Sequence, residues 1–113
     1  MSKYMQIDIR LIPFYESPFE KRFPRLAILL RRMSYGSAVE KEISLYEMAD
    51  ILDAIVGNPD APSDIRNAVA PYAERIMESK EIARGHLLAR RLNDLDQELY
   101  RMEDVFEDLE RSL

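Results

Sequence analysis

The sequence predicts a mainly α-helical fold: a small helical bundle with a long C-terminal heptad helix and a short N-terminal β-strand. Three observations lead to this prediction. Apolar residues recur at helical spacing over most of the chain, a strict heptad repeat occupies the C-terminal segment, and one stretch near the N-terminus alternates apolar with polar residues. The 113 residues suit one domain, which we divide into a strand and aromatic arm (1–23), short helices (24–79) and a long coiled-coil-like helix (80–113).

The N-terminal strand is predicted over Met5–Leu11, where apolar and polar residues alternate up to Pro13. A single strand leaves its backbone donors and acceptors unpaired, so it needs a neighbour. Val39–Leu45, which also alternates, is one candidate neighbour. The same strand of a second subunit and a sheet edge in a partner protein are the others.

A first helix is predicted from Pro24, because proline suits the first turn of a helix, where its missing N–H costs nothing. This helix ends before Gly36. Its apolar stripe consists of Leu26, Leu29, Leu30 and Met33.

A second helix is predicted from Ser44, which forms a capping box with Glu47. Ser37 and Glu40 fit the same motif, but the apolar stripe continues only from Ser44. That stripe consists of Leu45, Met48, Leu52 and Ile55, and Gly57 ends the helix.

A third helix is predicted from Ser63 after the turn that contains Pro59 and Pro62. Pro71 lies inside it, so we expect a kink or a split there. Its apolar stripe consists of Ile65, Val69, Tyr72 and Ile76.

The C-terminal segment carries the strongest periodic signal. Eight apolar residues are spaced alternately by four and three positions, which is the a/d seam of a coiled coil. The seam consists of Leu88, Leu92, Leu95, Leu99, Met102, Phe106, Leu109 and Leu113. It packs either against other helices of the same chain or against the same seam of a second chain, and a four-helix dimer interface combines both arrangements.

Charges beside the seam favour an antiparallel homodimer over a parallel one. In a parallel pair, Glu98 faces Glu103 of the second chain and the two acidic C-terminal ends lie side by side. An antiparallel pair brings each acidic end towards Arg84, Arg90 and Arg91, which is electrostatically better.

The net charge of −5 hides a strong asymmetry along the chain. Residues 1–36 carry seven Lys or Arg against three acids, residues 37–93 carry seven against ten, and residues 94–113 carry two against eight. Six of the ten aromatic residues also lie in the basic first third. Such asymmetry is typical either of a binding surface or of two chain ends that neutralise each other.

The basic third is a candidate for contact with a partner or with phosphates. Its side chains, together with aromatic residues that stack on bases, would suit a nucleic acid. The sequence pI of about 4.9 argues against this, and pairing of the arginines with the acidic tail is the simpler expectation. The residues concerned are Lys21, Arg22, Arg25, Arg31 and Arg32.

The sequence offers little for catalysis. The lack of cysteine excludes disulfides, thiolate metal sites and a cysteine nucleophile. The only histidine, His86, cannot form a multi-imidazole zinc site, and the three isolated glycines form no phosphate-binding loop. We therefore expect no catalytic residues, no metal site and no cofactor.

One fragment nevertheless looks like part of an enzyme. Glu47-Met-Ala-Asp50 resembles the Glu-x-x-Asp half of the magnesium site in helical nucleotide pyrophosphohydrolases of the MazG type. In that family a Glu-x-x-Glu pair on the preceding helix completes the site, whereas the preceding helix here carries arginines. We expect Glu47 to cap its helix, and Asp50 and Asp53 to face solvent.

Together these features predict a small non-catalytic interaction or adaptor protein that acts as a helical homodimer and binds another protein. The alternative is a nucleic-acid-associated regulator that uses the Arg-rich N-terminal third and dimerises through its C-terminal helix. A metal-dependent hydrolase using Glu47 and Asp50 is a weaker third class. No apolar run approaches the ~18 residues of a membrane span, and the N-terminus lacks the apolar core of a signal peptide, so we expect a cytoplasmic protein with no membrane contact.

Overall fold

Six α-helices form the regular structure of the described chain, residues 3–6 and 8–113 of a computed structural model. In chain order they are α1 (Phe19–Arg22), α2 (Pro24–Arg32), α3 (Gly36–Glu40), α4 (Leu45–Gly57), α5 (Ser63–Leu88) and α6 (Leu92–Ser112). The mainly helical class predicted from the apolar spacing is confirmed. None of these six helices is long and apolar enough to cross a membrane.

The predicted N-terminal strand is wrong. The described residues of Met5–Leu11 form no strand, and Ile7 of that segment lies outside the described residues. The candidate neighbour Val39–Leu45 is not a strand either, because Val39 belongs to α3 and Leu45 begins α4. A lone stretch with no strand beside it has no ladder to join, whatever its alternation.

The aromatic arm contributes to the core of the bundle. Phe19 and Phe23 are buried, and their stacked rings lie 5.2 Å apart between centroids. Phe23 also meets Phe106 of α6 edge-on, with centroids 6.4 Å apart. The predicted stripe of α2 is buried at Leu26, Leu29 and Leu30.

α4 begins at the predicted cap. Ser44 Oγ accepts a hydrogen bond from the backbone N–H of Glu47 at 3.1 Å, which satisfies one of the free donors of the first turn. The predicted face of this helix is buried at Met48, Leu52 and Ile55.

Pro71 does not split α5, which runs unbroken past it. Val69, Ala73 and Ile76 are buried on both sides of the proline, so packing holds the helix together across it. The carbonyl that loses its helical donor at Pro71 belongs to Asn67, an exposed residue that water reaches.

The predicted helix over 80–113 is interrupted by a turn. α5 ends at Leu88, and α6 begins at Leu92. Between them Arg90 has a left-handed φ of 58°, and the N–H of Arg91 donates to the carbonyl of His86 at 2.9 Å. The chain therefore folds back, and α6 packs along α5 as a helical hairpin. Because the chain folds back, the C-terminal part of the seam (Met102, Phe106 and Leu109) packs onto the core. A continuous helix would carry these residues into solvent.

The main core lies at the end of the bundle remote from this turn. Met102, Phe106 and Leu109 of α6 join buried residues of α1 to α4 and of the first half of α5 in one cluster. Ala83 and Leu95 are also buried, but they lie outside that cluster, between the two arms of the hairpin. The hairpin therefore extends beyond the core, consistent with principal extents of 51 × 26 × 23 Å.

Glu110 of α6 caps the N-terminus of α2. Its carboxylate accepts the backbone N–H groups of Arg25 at 2.9 Å and of Leu26 at 3.0 Å. Such donors have no acceptor within their own helix, and negative charge is favoured at a helix N-terminus. The residue before α2 is Phe23, whose side chain has no hydrogen-bond acceptor for these N–H groups. The acceptor is therefore supplied by α6, from across the bundle.

Replacing Glu110 by alanine is expected to lower the free energy of unfolding by about 1–2 kcal/mol, because the α2 donors lose their acceptor. Glu110→Gln retains an acceptor and should lose less. Asp104→Ala removes the same charge from an exposed position of α6 and should stay within about 0.5 kcal/mol of the parent. Urea unfolding followed by circular dichroism measures all three, and equal losses for Glu110→Ala and Asp104→Ala would contradict the capping role.

Candidate interaction site

The heptad seam is divided between the core and the surface. Four of its residues are buried, namely Leu95, Met102, Phe106 and Leu109, and Leu99 and Leu113 are half-buried. Leu88 and Leu92 remain exposed, with 71% and 55% of their surfaces accessible. Most of the seam therefore packs within the chain, and its first two residues do not.

The exposed part of the seam lies at the turn of the hairpin. We call residues 84–92 the hairpin tip. Besides Leu88 and Leu92 it carries Arg84, Arg90 and Arg91, all exposed, and no acidic residue. Arg91 Nε donates to His86 Nδ1 at 3.1 Å and lies 3.9 Å from the carboxylate of Asp94, two residues beyond the tip, while Arg84 and Arg90 add further positive charge. The tip is therefore both apolar and positively charged.

The basic N-terminal third is not assembled into one phosphate site. Arg22 forms an ion pair with Glu107 of α6 at 3.1 Å, and Arg31 pairs with Glu20 at 2.7 Å. Arg25 Nη1 donates to the carbonyl of Arg111 at 3.4 Å. The other two predicted contact residues, Lys21 and Arg32, are exposed. Contacts with the acidic tail therefore engage part of this third.

A cleft of about 560 Å³ opens between α6, the start of α4 and the N-terminal arm. The arm contributes residues 11–17, and Ser44–Tyr46 contribute the second wall. One flank of α6 forms the third wall, and Arg22 and Phe23 complete the lining. We call it the acidic cleft, and its α6 side chains are Asp96, Leu99, Tyr100, Met102, Glu103 and Glu107.

The α6 wall concentrates negative charge. Partial burial, followed by the neighbouring carboxylates of Glu107, Asp104 and Asp96, raises the pKa of Glu103. The Arg22 guanidinium opposes this shift, but it is already paired with Glu107. A raised carboxyl pKa means that the charged form of Glu103 is disfavoured at this position in the cleft wall. A cation brought to the cleft would relieve that penalty.

Tyr15 fixes the arm to the bundle. Its hydroxyl donates to the carbonyl of Ile43 at 2.6 Å, and its ring meets Phe19 edge-on at 5.7 Å. Burial, followed by the charges of Glu42, Glu103 and Glu47, raises the pKa of Tyr15 to about 12. No local pattern in the sequence indicates this anchor, because Ile43 is distant from Tyr15 in the chain.

The carboxylates of the enzyme-like fragment are not gathered into a metal site. Ser44 caps the backbone of Glu47, and Asp50 binds Lys80 Nζ at 2.8 Å. Glu47, Asp50 and Asp53 are exposed. Over residues 3–6 and 8–113, no group of three potential ligands is placed to hold a metal ion.

Glu98, which the sequence placed beside the seam as a residue facing a second chain, is instead buried within its own chain. Only 3% of its surface is accessible, and its carboxylate accepts from Ser79 Oγ at 2.8 Å and Arg101 Nη1 at 2.7 Å. The bond from Ser79 links α5 to α6, the bond from Arg101 lies within α6, and together they satisfy both carboxylate oxygens. Glu98 therefore helps to hold α5 and α6 together outside the main core, on the side of the hairpin turn.

Comparison with protein-family models, with curated proteins and with solved structures finds no significant match for this chain.

Removing the Tyr15 hydroxyl should loosen the arm. Tyr15→Phe keeps the ring but deletes the bond to Ile43, so we expect a loss of about 1 kcal/mol and faster proteolysis within residues 8–17. Tyr4→Phe, in an exposed position, is the matched control. Unchanged proteolysis in Tyr15→Phe would show that this bond does not hold the arm.

The division of the seam predicts unequal effects of truncation. Leu109→Ala should cost about 2–5 kcal/mol of folding free energy, because it opens a cavity in the core. Leu92→Ala should cost less than about 1 kcal/mol in dilute protein, because that side chain is exposed. Thermal unfolding at low protein concentration measures both, and a large loss for Leu92→Ala would contradict the fold described.

Proposed function

We propose that this chain is a non-catalytic interaction or adaptor protein that acts as a homodimer through its hairpin tip. The observation that carries the proposal is the exposure of Leu88 and Leu92, which lie on either side of the turn where the heptad seam leaves the core. Burying a leucine side chain stabilises an assembly by about 1.5–3 kcal/mol. Contact between two copies provides that burial.

The position of the tip supports a role in association. It lies where the hairpin extends beyond the main core, so a second chain reaches it without disturbing the packing of α1 to α4. The buried bond between Ser79 of α5 and Glu98 of α6 helps to keep the two helices of the hairpin together. A tip held in one shape binds with less loss of conformational entropy than a mobile one.

Charge pairing favours a protein partner over a nucleic acid. Arg22 and Arg25 contact the acidic tail, and the acidic cleft lies beside them. That cleft would repel a phosphate backbone as it approached. The ion pair between Asp50 and Lys80 likewise gives no support to a hydrolase.

Light scattering of the full chain at about 100 µM is the test, with an expected mass of twice 13.2 kDa. The double variant Leu88→Glu/Leu92→Glu should be a folded monomer, because four carboxylates cannot be buried in the interface without partners. Ile28→Glu replaces an exposed isoleucine of α2 and should leave the dimer intact. A monomeric parent, or a double variant that still dimerises, would overturn the proposal.

A further inference from the structure

The hairpin tip and the acidic cleft are complementary surfaces of one molecule. The tip carries exposed leucines and three arginines, of which Arg91 pairs with Asp94, just beyond the tip, at 3.9 Å. The cleft carries exposed aromatic side chains, Tyr100 at 62% and Phe14 at 84%, beside the carboxylates of Asp96 and Glu103. Opposite charge on two partly apolar surfaces is a feature of specific protein association.

We propose that the acidic cleft of one chain receives the hairpin tip of a second copy, giving an antiparallel dimer of α6 helices. The inference rests on the proposed homodimer and assigns the surface that the tip binds. The contact is isologous, so each chain offers both its tip and its cleft.

The spacing along α6 fits such a contact. Leu92, Asp96, Leu99 and Glu103 recur at intervals of four, three and four residues, so they share one flank of the helix. With the two-fold axis at Asp96, Leu92 faces Tyr100 of the second copy, because each lies four residues, or about 6 Å, from the axis. Arg90, six residues from the axis, then lies near Glu103 of the second copy, which is seven residues from it.

Electrostatics distinguishes this arrangement from its alternatives. Two tips meeting end to end would bring six arginines together, and a parallel pair would align the acidic flanks of both α6 helices. The antiparallel pair places each basic tip against the carboxylates of the other chain. Exposed ion pairs add little affinity individually, but they select orientation strongly. The two Asp96 carboxylates, which approach at the axis, form an unfavourable pair.

Disulfide trapping tests the geometry, and the absence of native cysteine makes it direct. Asp96→Cys should crosslink to itself, since it lies at the axis and the substitution removes the like-charge pair. Leu92→Cys mixed with Tyr100→Cys should form the mixed disulfide in preference to either self-crosslink. Gln97→Cys is the control, because the neighbouring position points away from this flank and should not crosslink.

Charge reversal gives an independent measurement. Arg90→Glu and Glu103→Arg should each weaken dimerisation by about tenfold or more, and mixing the two variants should restore most of the affinity. Arg75→Glu, an exposed position of α5 outside the tip, should have little effect. Failure of the mixed pair to recover would overturn the proposed contact.

Two outcomes separate this inference from the function on which it rests. A dimeric mass with Leu92→Cys crosslinking mainly to itself would overturn the cleft as the receiving surface and leave the homodimer in place. A monomeric parent would overturn both.

Discussion

The three-residue turn between α5 and α6 is the constraint on which the structure depends. Arg90 adopts a left-handed backbone conformation there, and the N–H of Arg91 closes the turn onto His86. Because the chain reverses at this point, α6 returns along α5 and delivers Phe106 and Leu109 to the core. The same reversal leaves Leu88 and Leu92 uncovered, so one turn produces both the stable bundle and its candidate binding surface.

The acidic C-terminal part of α6 serves the fold in more than one way. Glu110 caps α2, and Glu107 pairs with Arg22, so the tail fastens the basic N-terminal third to the bundle. Glu103 and Asp96, on the same flank, remain in the wall of the cleft. The opposite charges of the two chain ends are thus partly used within the molecule, and the carboxylates left over define what the cleft attracts.

Local signals in the sequence predicted α2 and α4, whereas the short helices α1 and α3, the turn after Leu88 and the long-range contacts escaped it. Ser44 and the stripe that follows it predicted α4, since a capping bond and helical spacing depend only on nearby residues. The seam could not reveal the turn, because a heptad pattern continues across residues 89–91 without a glycine or proline to mark a break. The cleft and the bond between Ser79 and Glu98 join segments that are distant in the chain. No rule of residue spacing predicts such long-range contacts.

The folding back of α6 is tested most directly by a distance measured between α5 and α6. Nitroxide labels at Glu74→Cys and Asp104→Cys, both exposed positions, should lie less than about 25 Å apart in a hairpin of packed helices. The labelled chain is diluted with unlabelled protein, so that only pairs within one molecule are seen. A distance of about 45 Å, as in one straight helix, or loss of the short distance on dilution, would contradict the account.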